Sequence, residues 1–265
     1  MSGVGIYIKI ALAELRSQLE YPVNAIIGFI NQFLVLFLEF VAMAALFDRF
    51  GAIQGWTFSE VFLSYGIVNL AFSVSESFMR GFESNFVSLV RRGEYDRYLL
   101  RPRSTILQIS AYSFQFVRLG RVFQSLVVFI IGVLLNASKI TGFAWVVLAY
   151  TAIAGCTLYF ALYIITGILT FKALQPLEFM SVFVQGSVST MQYPMTIFPK
   201  WVRNMFTYIL PVATVSYYPI AAIMGKTIPF SPVVAYVLPI ICPIFFMISI
   251  LVFHAVEKTY TSSGS

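Results

Sequence analysis

The chain has 265 residues, of which 59% are hydrophobic and only 11% are charged, with a formal net charge of +6. Ordinary soluble domains carry roughly 45–50% apolar and about 25% charged residues. A water-soluble fold of this size could not bury so much apolar surface, because much of its surface must still face water. The composition therefore excludes a soluble enzyme or binding domain and predicts a membrane protein.

Residues 1–22 are predicted to form an amphipathic helix. Apolar residues recur at helical spacing, at Ile8, Leu12, Leu15 and Leu19. Charged residues fall mostly elsewhere on the helical wheel, which is typical of a helix lying in the cytoplasmic interface. Such a helix is either a plain membrane anchor or a contact surface for a partner. The segment lacks the basic-then-apolar order of a cleavable signal peptide, so insertion is expected to depend on the first spanning helix.

Six stretches reach the length of about 20 residues that a helix needs to cross the hydrocarbon core. They are residues 23–46, 58–78, 105–135, 143–171, 177–195 and 233–254. Arg118 and Arg121 fall in the first turns of the third span, where they can extend toward the nearer interface. The predicted fold class is an all-α membrane protein with six transmembrane helices in one domain, residues 1–265.

Residues 196–230 are predicted to form a re-entrant helical hairpin at the outer face, between spans five and six. The apolar run 210–224 has 15 residues and two prolines. It is too short to cross, and proline removes backbone donors that lipid cannot replace. Aromatic side chains would anchor the hairpin at the headgroup level, namely Trp201, Tyr208, Tyr217 and Tyr218. The residues assigned to this element are Tyr193, Pro194, Pro199, Trp201, Pro211, Tyr218 and Pro219.

The positive charges predict the orientation. With six spans, twelve of the seventeen Lys and Arg residues fall on the side of the two termini, and five fall on the other side. Because positive residues accumulate in cytoplasmic loops, both termini are expected in the cytoplasm. The same bias accounts for the basic net charge, so no nucleic-acid partner is predicted.

Residues 84–104 form the longest connection on the cytoplasmic side and are rich in arginine. Gly93 is expected to end the helix that runs in from the second span, and Pro102 to stop a following helix of about two turns. Tyr95, Leu99 and Pro102 would share one face of this short helix. It would either dock into a groove of a soluble protein or rest on anionic lipid, and the residues alone leave both open.

The segment Gly93-Glu-Tyr-Asp-Arg-Tyr-Leu-Leu-Arg-Pro resembles the signature G-x-x-D-x-x-L-L-R-P of a bacterial branch of ABC-2-type permeases. The later dipeptides Tyr193-Pro, Phe198-Pro, Leu210-Pro and Tyr218-Pro resemble that family's segment between spans five and six. The resemblance implies a multi-pass permease of the bacterial plasma (inner) membrane. It also implies that the 84–104 loop holds the coupling helix. The coupling residues are then Arg91, Arg92, Gly93, Glu94, Tyr95, Asp96, Arg97, Leu99, Leu100, Arg101 and Pro102.

The same resemblance implies the partners. Two permeases, identical or related, would stand above two ABC ATPase subunits, with export favoured over import and the substrate left open. ATP and Mg would be held by the ATPase, and no cofactor or metal is expected in this chain. Its one P-loop-like string begins at Gly225, but that motif needs a glycine at position 220, which is Ile220. The chain is therefore not expected to be an enzyme.

Two polar residues of the first span are eight positions apart, Asn31 and Glu39, and fall within about 80° of each other on a helix. A carboxylate in lipid is costly and functional by default, so the pair is a candidate for a translocation path. The other interpretation is a hydrogen bond to a neighbouring helix or dimer partner. Glu76 and Arg80 are predicted to form an ion pair.

The alternative function is a secondary transporter or channel driven by an ion gradient. Such proteins carry carboxylates deep in several spans and often show repeat symmetry. Only Glu39 meets the first condition, and no repeat is visible. A membrane enzyme acting on lipid-linked groups is a further class, but the outer-side charges are too sparse to favour it.

Overall fold

The computed structural model describes residues 3–173 and 178–261, and the all-helical fold class is confirmed, with 79% helix and no strand in those ranges. In chain order the α-helices are α1 (Gly3–Leu19), α2 (Pro22–Phe50), α3 (Phe58–Met79), α4 (Gly81–Ser84), α5 (Phe86–Arg91), α6 (Asp96–Leu99), α7 (Thr105–Tyr112), α8 (Leu119–Leu135), α9 (Ala144–Ala173), α10 (Glu178–Thr190), α11 (Lys200–Asn204), α12 (Val212–Val215), α13 (Tyr217–Ile223), α14 (Pro232–Val237) and α15 (Ile241–Glu257).

Four helical segments of the described ranges are long and apolar enough to cross a membrane. They are Pro22–Phe50, Phe58–Met79, Ala144–Ala173 and Pro232–Glu257, the last combining α14 and α15. A bent pair, Lys200–Ile209 and Val212–Ile223, meets at 75° and adds a fifth crossing if the pair is one broken span. Length and composition thus give four or five crossings, where the sequence predicted six.

The predicted third span, residues 105–135, is not one helix. α7 ends at Tyr112, and α8 begins only at Leu119, after a 3-10 turn. α8 has 17 residues, fewer than the roughly 20 needed to cross unaided. The break gives Arg118 polar partners, because its Nε donates to Gln115 at 3.0 Å and its Nη1 lies 3.0 Å from Glu76. A buried guanidinium requires such partners.

The predicted fifth span, residues 177–195, is also shorter than expected. Residues 174–177 lie outside the described part, and α10 covers Glu178–Thr190. The helix stops before Pro194, in keeping with the bias of the residue preceding a proline away from helical backbone. Beyond it, a 3-10 turn at Met195–Ile197 leads into the region of the predicted hairpin.

The bend between the two legs of the pair falls at residues 210–211, and Pro211 is the N-cap of α12. The predicted hairpin, 196–230, contains this bend, which fits a broken span or a re-entrant segment. Trp201 and Tyr208 are exposed, as interface anchors should be, but Tyr217 is buried with its ring centroid 5.3 Å from that of Trp56. The other residues assigned to the hairpin divide in the same way, with Pro194, Pro211 and Pro219 buried, Tyr193 and Tyr218 half-buried and Pro199 exposed.

α3 is the central helix and packs mainly against α8 and α9. The α3–α8 crossing is close enough to need glycine on both helices. A Cβ at Gly66 would lie 2.9 Å from the Cα of Phe129, and a Cβ at Gly132 would lie 2.9 Å from the Cα of Leu63. α2, in contrast, leaves most of its apolar side chains exposed.

A buried carboxylate closes the bundle at the end where α3 begins, which we call the Glu60 end. Glu60 accepts hydrogen bonds from Lys139 at 2.8 Å and from the backbone N–H of Thr57 at 2.9 Å. Lys226 lies 2.8 Å from the oxygen of Glu60 that accepts from Thr57, and it also donates to the carbonyl of Gly55. The loops before α3, after α8 and after α13 are thereby tied together.

Replacing Glu60 with Ala is expected to lower the free energy of unfolding by about 1–3 kcal/mol, because two lysines and a backbone donor lose their shared acceptor. Lys139→Gln is the matched control, since Lys139 is half-exposed and Lys226 still pairs with Glu60. Its cost should be about 0–1 kcal/mol, as for other exposed pairs. Thermal unfolding in one detergent measures both, and equal effects would contradict the assignment.

Candidate functional site

The loop at the opposite end of the bundle, which we call the α6 end, turns at Gly93. Its φ is +67°, a backbone conformation that glycine adopts without strain. The short helix that follows, α6, is one turn, Asp96–Leu99, rather than the two turns predicted. The remaining residues form turn hydrogen bonds, including Tyr98 N–H to the carbonyl of Tyr95 at 2.9 Å.

Tyr95 attaches this loop to the core. Its side chain is fully buried. Its ring centroid lies 5.3 Å from those of Phe86 and Tyr260 and 5.5 Å from that of Phe171, each close to edge-on. Such contacts hold aromatic rings in defined positions. The predicted shared face of Tyr95, Leu99 and Pro102 is therefore not observed, because these rings turn Tyr95 inward.

Glu257, at the end of α15, is the hydrogen-bond acceptor for the Tyr95 side chain. The Tyr95 hydroxyl donates to it, and the Thr105 hydroxyl donates to the same oxygen at 2.5 Å. Nδ1 of His254 lies 3.0 Å from the other oxygen. Burial, together with the hydrogen bond to Glu257, raises the pKa of Tyr95, so the hydroxyl stays protonated and donates. Glu257 was not predicted as part of this site, because no spacing pattern in the sequence links it to the loop.

The outward side of the loop combines apolar and basic residues. Leu100 is 84% exposed and Leu99 is 43% exposed. Around them lie the exposed residues Arg91, Arg92, Arg97, Arg101 and Pro102, with Gly93, Glu94 and Asp96 half-buried. We call this the α6 face. It presents two leucines that would fit an apolar depression on a partner protein, and cations that would pair with acidic residues around that depression.

α6 is held against α7 by side chains of both. Arg101 donates to the Tyr112 hydroxyl at 2.9 Å and lies over the rings of Tyr98 and Tyr112. Gln108 of α7 donates to the carbonyls of Tyr98 at 3.1 Å and Arg103 at 3.2 Å. These contacts with α7 therefore hold the α6 face in a defined position.

A family model described as "ABC-2 family transporter protein" matches residues 33–264, which is most of the chain. The chain belongs to this ABC-2 transporter family. No curated protein matches the sequence. Family membership makes the protein an integral membrane component of an ABC transporter that works with ATPase subunits, and such components are generally not catalytic themselves.

The ABC-2 chain has a polar contact about midway along its long helices. Glu39 of α2 accepts hydrogen bonds from the Tyr65 hydroxyl of α3 at 2.9 Å and from Nε2 of Gln192 at 3.2 Å. The bond from Tyr65 joins two helices, as one of the two sequence interpretations predicted, and Gln192 lies in the turn after α10. Asn31 is exposed, about two turns away on the same helix.

A second polar cluster lies near the α6 end of the ABC-2 bundle. The predicted pair of Glu76 and Arg80 is present in the structure. Arg118 and Arg121 also turn toward Glu76 instead of extending away from the bundle, with Nη1 atoms 3.0 and 3.8 Å from its carboxylate. We call these four residues the Glu76 cluster. It brings α3, the turn before α8 and α8 itself together.

Other side chains that could in principle carry chemistry pack without a visible chemical role. Cys156 and Cys242 are free thiols. His254 contacts Glu257, and no group of three or more His, Cys, Asp or Glu side chains in the described ranges could hold a metal ion. Lys226, in the P-loop-like string, pairs with Glu60.

Proposed function

We propose that this chain is the permease subunit of an ATP-driven exporter and that α6 couples it to a separate ATPase. The exposed leucine pair on the α6 face carries the proposal. Leu100 is the most exposed large apolar side chain in the described ranges, and exposed arginines surround it. A short helix with a protruding apolar residue and a charged border suits a groove on a soluble partner.

The contacts beneath α6 provide a route for coupling. A force on the α6 face would reach Tyr95, and from there α15 through Glu257 and α9 through Phe171. Thr105 joins α7 to the same carboxylate. Because packed cores transmit displacement rather than absorb it, closure of the ATPase would move these helices as a group.

The proposed assembly has two permeases, identical or related, and two ATPase subunits in the bacterial inner membrane. The exposed apolar surface of α2 supports it, because this surface must be covered by lipid or by a second permease. Six crossings with both termini in the cytoplasm remain our proposal. α7 and α8 would together make the third crossing, and α10 with its continuation the fifth. The α6 end would then be cytoplasmic and the Glu60 end external.

Leu100→Asp is expected to reduce co-purification of the ATPase at least about tenfold, because a charge enters the apolar contact at its centre. Substrate-stimulated ATP hydrolysis by the purified complex should fall in parallel. The matched control is Leu135→Asp, an exposed leucine at the far end of α8. Unchanged ATPase recovery with Leu100→Asp would exclude α6 as the coupling helix.

An ion-gradient-driven carrier or channel remains the alternative. The deep carboxylate that such a function would use, Glu39, is already held by two hydrogen-bond donors. Reconstitution separates the two functions, since the exporter requires ATP hydrolysis in the absence of any ion gradient. Transport that follows a gradient without ATP would favour the alternative.

A further inference from the structure

The Glu76 cluster holds more positive charge than its own acid can neutralise. Three guanidinium groups surround one carboxylate, which leaves a charge of +2. Glu83 is a second nearby acid, held by the Ser181 hydroxyl of α10. Counting Glu83 still leaves +1. Arginine is always protonated in proteins, so this excess is permanent.

The cluster also has unused hydrogen-bonding capacity. Each arginine has five N–H donors, whereas one carboxylate offers about four acceptor positions. Nε of Arg121 is buried without a hydrogen-bond partner, and one oxygen of Glu76 accepts no hydrogen bond. The guanidinium of Arg121 lies over the ring of Phe72, 4.7 Å from its centroid, which fixes its plane. Arg121 therefore has a buried donor that no group of the described residues satisfies, and an oxyanion is a strong acceptor for such a donor.

Burial separates these arginines from the loop arginines. Glu76 is 2% exposed, and Arg118 and Arg121 are mostly buried, so water screens them weakly. Arg91, Arg92 and Arg97 are exposed, so water screens their charges. Buried cations without enough acceptors are costly unless an anion joins them.

The depth of the cluster selects the kind of anion. α3 has 22 residues, which spans about 33 Å and matches a hydrocarbon core of about 30 Å. Glu76 lies three residues before the last residue of α3, so it sits about 5 Å inside that end of the helix. This is the boundary between acyl chains and headgroups.

We propose that the Glu76 cluster binds the phosphate or carboxylate headgroup of an anionic amphiphile, the cargo class of the proposed exporter, from the leaflet at the α6 end. The inference rests on the proposed permease function. Arg118 and Arg121 would donate hydrogen bonds to the oxyanion. Glu76 would compete for the same arginines and so keep the binding reversible. The apolar part of the amphiphile would remain among the spanning helices.

The test uses the purified full-length chain in a neutral detergent, with phosphatidylglycerol, phosphatidylcholine and inorganic phosphate as probes. Native mass spectrometry measures which of them stay bound. We expect phosphatidylglycerol to be retained over phosphatidylcholine. Arg118→Gln should weaken that retention about tenfold, as expected for the loss of one charge-assisted pair. Lys258→Gln, which removes one exposed positive charge at the same end, should leave retention unchanged.

Arg118→Lys keeps the positive charge and should retain most of the phosphatidylglycerol that the unchanged protein retains. It therefore distinguishes a loss of binding in Arg118→Gln from misfolding. Equal retention of the two lipids, or full retention by Arg118→Gln, would overturn the proposal. Inorganic phosphate that displaces phosphatidylglycerol at equal concentration would overturn the amphiphile part, because the site would then take a free anion. ATPase co-purification with Leu100→Asp tests the permease function separately, since Leu100 is not part of the Glu76 cluster.

Discussion

Replacing Glu257 with Ala is expected to abolish most of the substrate-stimulated ATP hydrolysis while the ATPase still binds. The change leaves the buried hydroxyls of Tyr95 and Thr105 without their acceptor. Each buried unsatisfied group costs about 1–3 kcal/mol, so the loss of two acceptors should lower the free energy of unfolding by about 2–6 kcal/mol. The α6 face would keep its leucines but lose its link to α15.

Three variants isolate this effect. Glu257→Gln keeps an acceptor oxygen for Tyr95 and Thr105 and should retain most of the stimulation. Glu20→Ala removes an exposed acid at the end of α1 and should change nothing. Tyr95→Phe removes the donor alone and should fall between Glu257→Gln and Glu257→Ala. The measurements are ATPase recovery and stimulated hydrolysis on the same preparation. Wild-type stimulation in Glu257→Ala would show that coupling does not pass through this carboxylate.

Gly66→Ala is expected to destabilise the bundle by about 1–3 kcal/mol, the usual cost of inserting a methyl group into a packed interface. The new Cβ would meet the Cα of Phe129 at 2.9 Å. A backbone atom cannot move aside as the end of a flexible side chain can, so α3 and α8 would have to separate. Gly132→Ala should act similarly from the other helix, since its Cβ would meet the Cα of Leu63.

Gly186→Ala is the matched control, because a Cβ there has no neighbour within 4 Å. Alanine favours helix over glycine by about 0.8–1.0 kcal/mol, so this variant should be neutral or slightly more stable. Thermal unfolding of the three variants in one detergent decides the matter. If Gly66→Ala and Gly186→Ala unfold at the same temperature, the close α3–α8 contact is not important for stability.

The α3–α8 contact matters because lipid changes what holds helices together. In water, apolar burial would drive α3 against α8, but acyl chains are as apolar as the side chains that they replace. Packing and interhelical hydrogen bonds must therefore supply the stability. Small residues that let backbones approach closely are then worth more than their size suggests. The Ser73–Ser125 hydrogen bond at 2.8 Å joins the same two helices.

The differences between prediction and structure have identifiable causes. Apolar length predicted a continuous helix over 105–135. The helix is interrupted before Leu119, and there Arg118 contacts Gln115 and Glu76 as hydrogen-bond and ion-pair partners. Aromatic composition predicted that Tyr217 would lie at the interface, yet Trp56 offers it a buried partner. In both cases a contact distant in sequence overrode a local preference. The family that the resemblance indicated is confirmed by the match over residues 33–264, and the coupling role of the G-x-x-D-x-x-L-L-R-P segment stays a prediction.

The sequence by itself determined that this protein lies in a membrane, and it determined the helical class, the family and the turn at Gly93. The membrane environment and the helical class follow from composition and from the transfer of apolar side chains into lipid, and the turn follows from the backbone freedom of glycine. The family was indicated by the resemblance of the segment from Gly93 to Pro102 to a known signature. Only the tertiary structure decided that Tyr95 points inward, that Glu257 accepts its hydrogen bond and that Arg118 and Arg121 join Arg80 at Glu76. These outcomes depend on which buried donor meets which acceptor. The partners are more than 100 residues apart in sequence for Tyr95 and Glu257, and about 40 residues apart for Glu76 and Arg118. No local pattern encodes that pairing, because it is set when the helices pack and each buried polar group must find a partner.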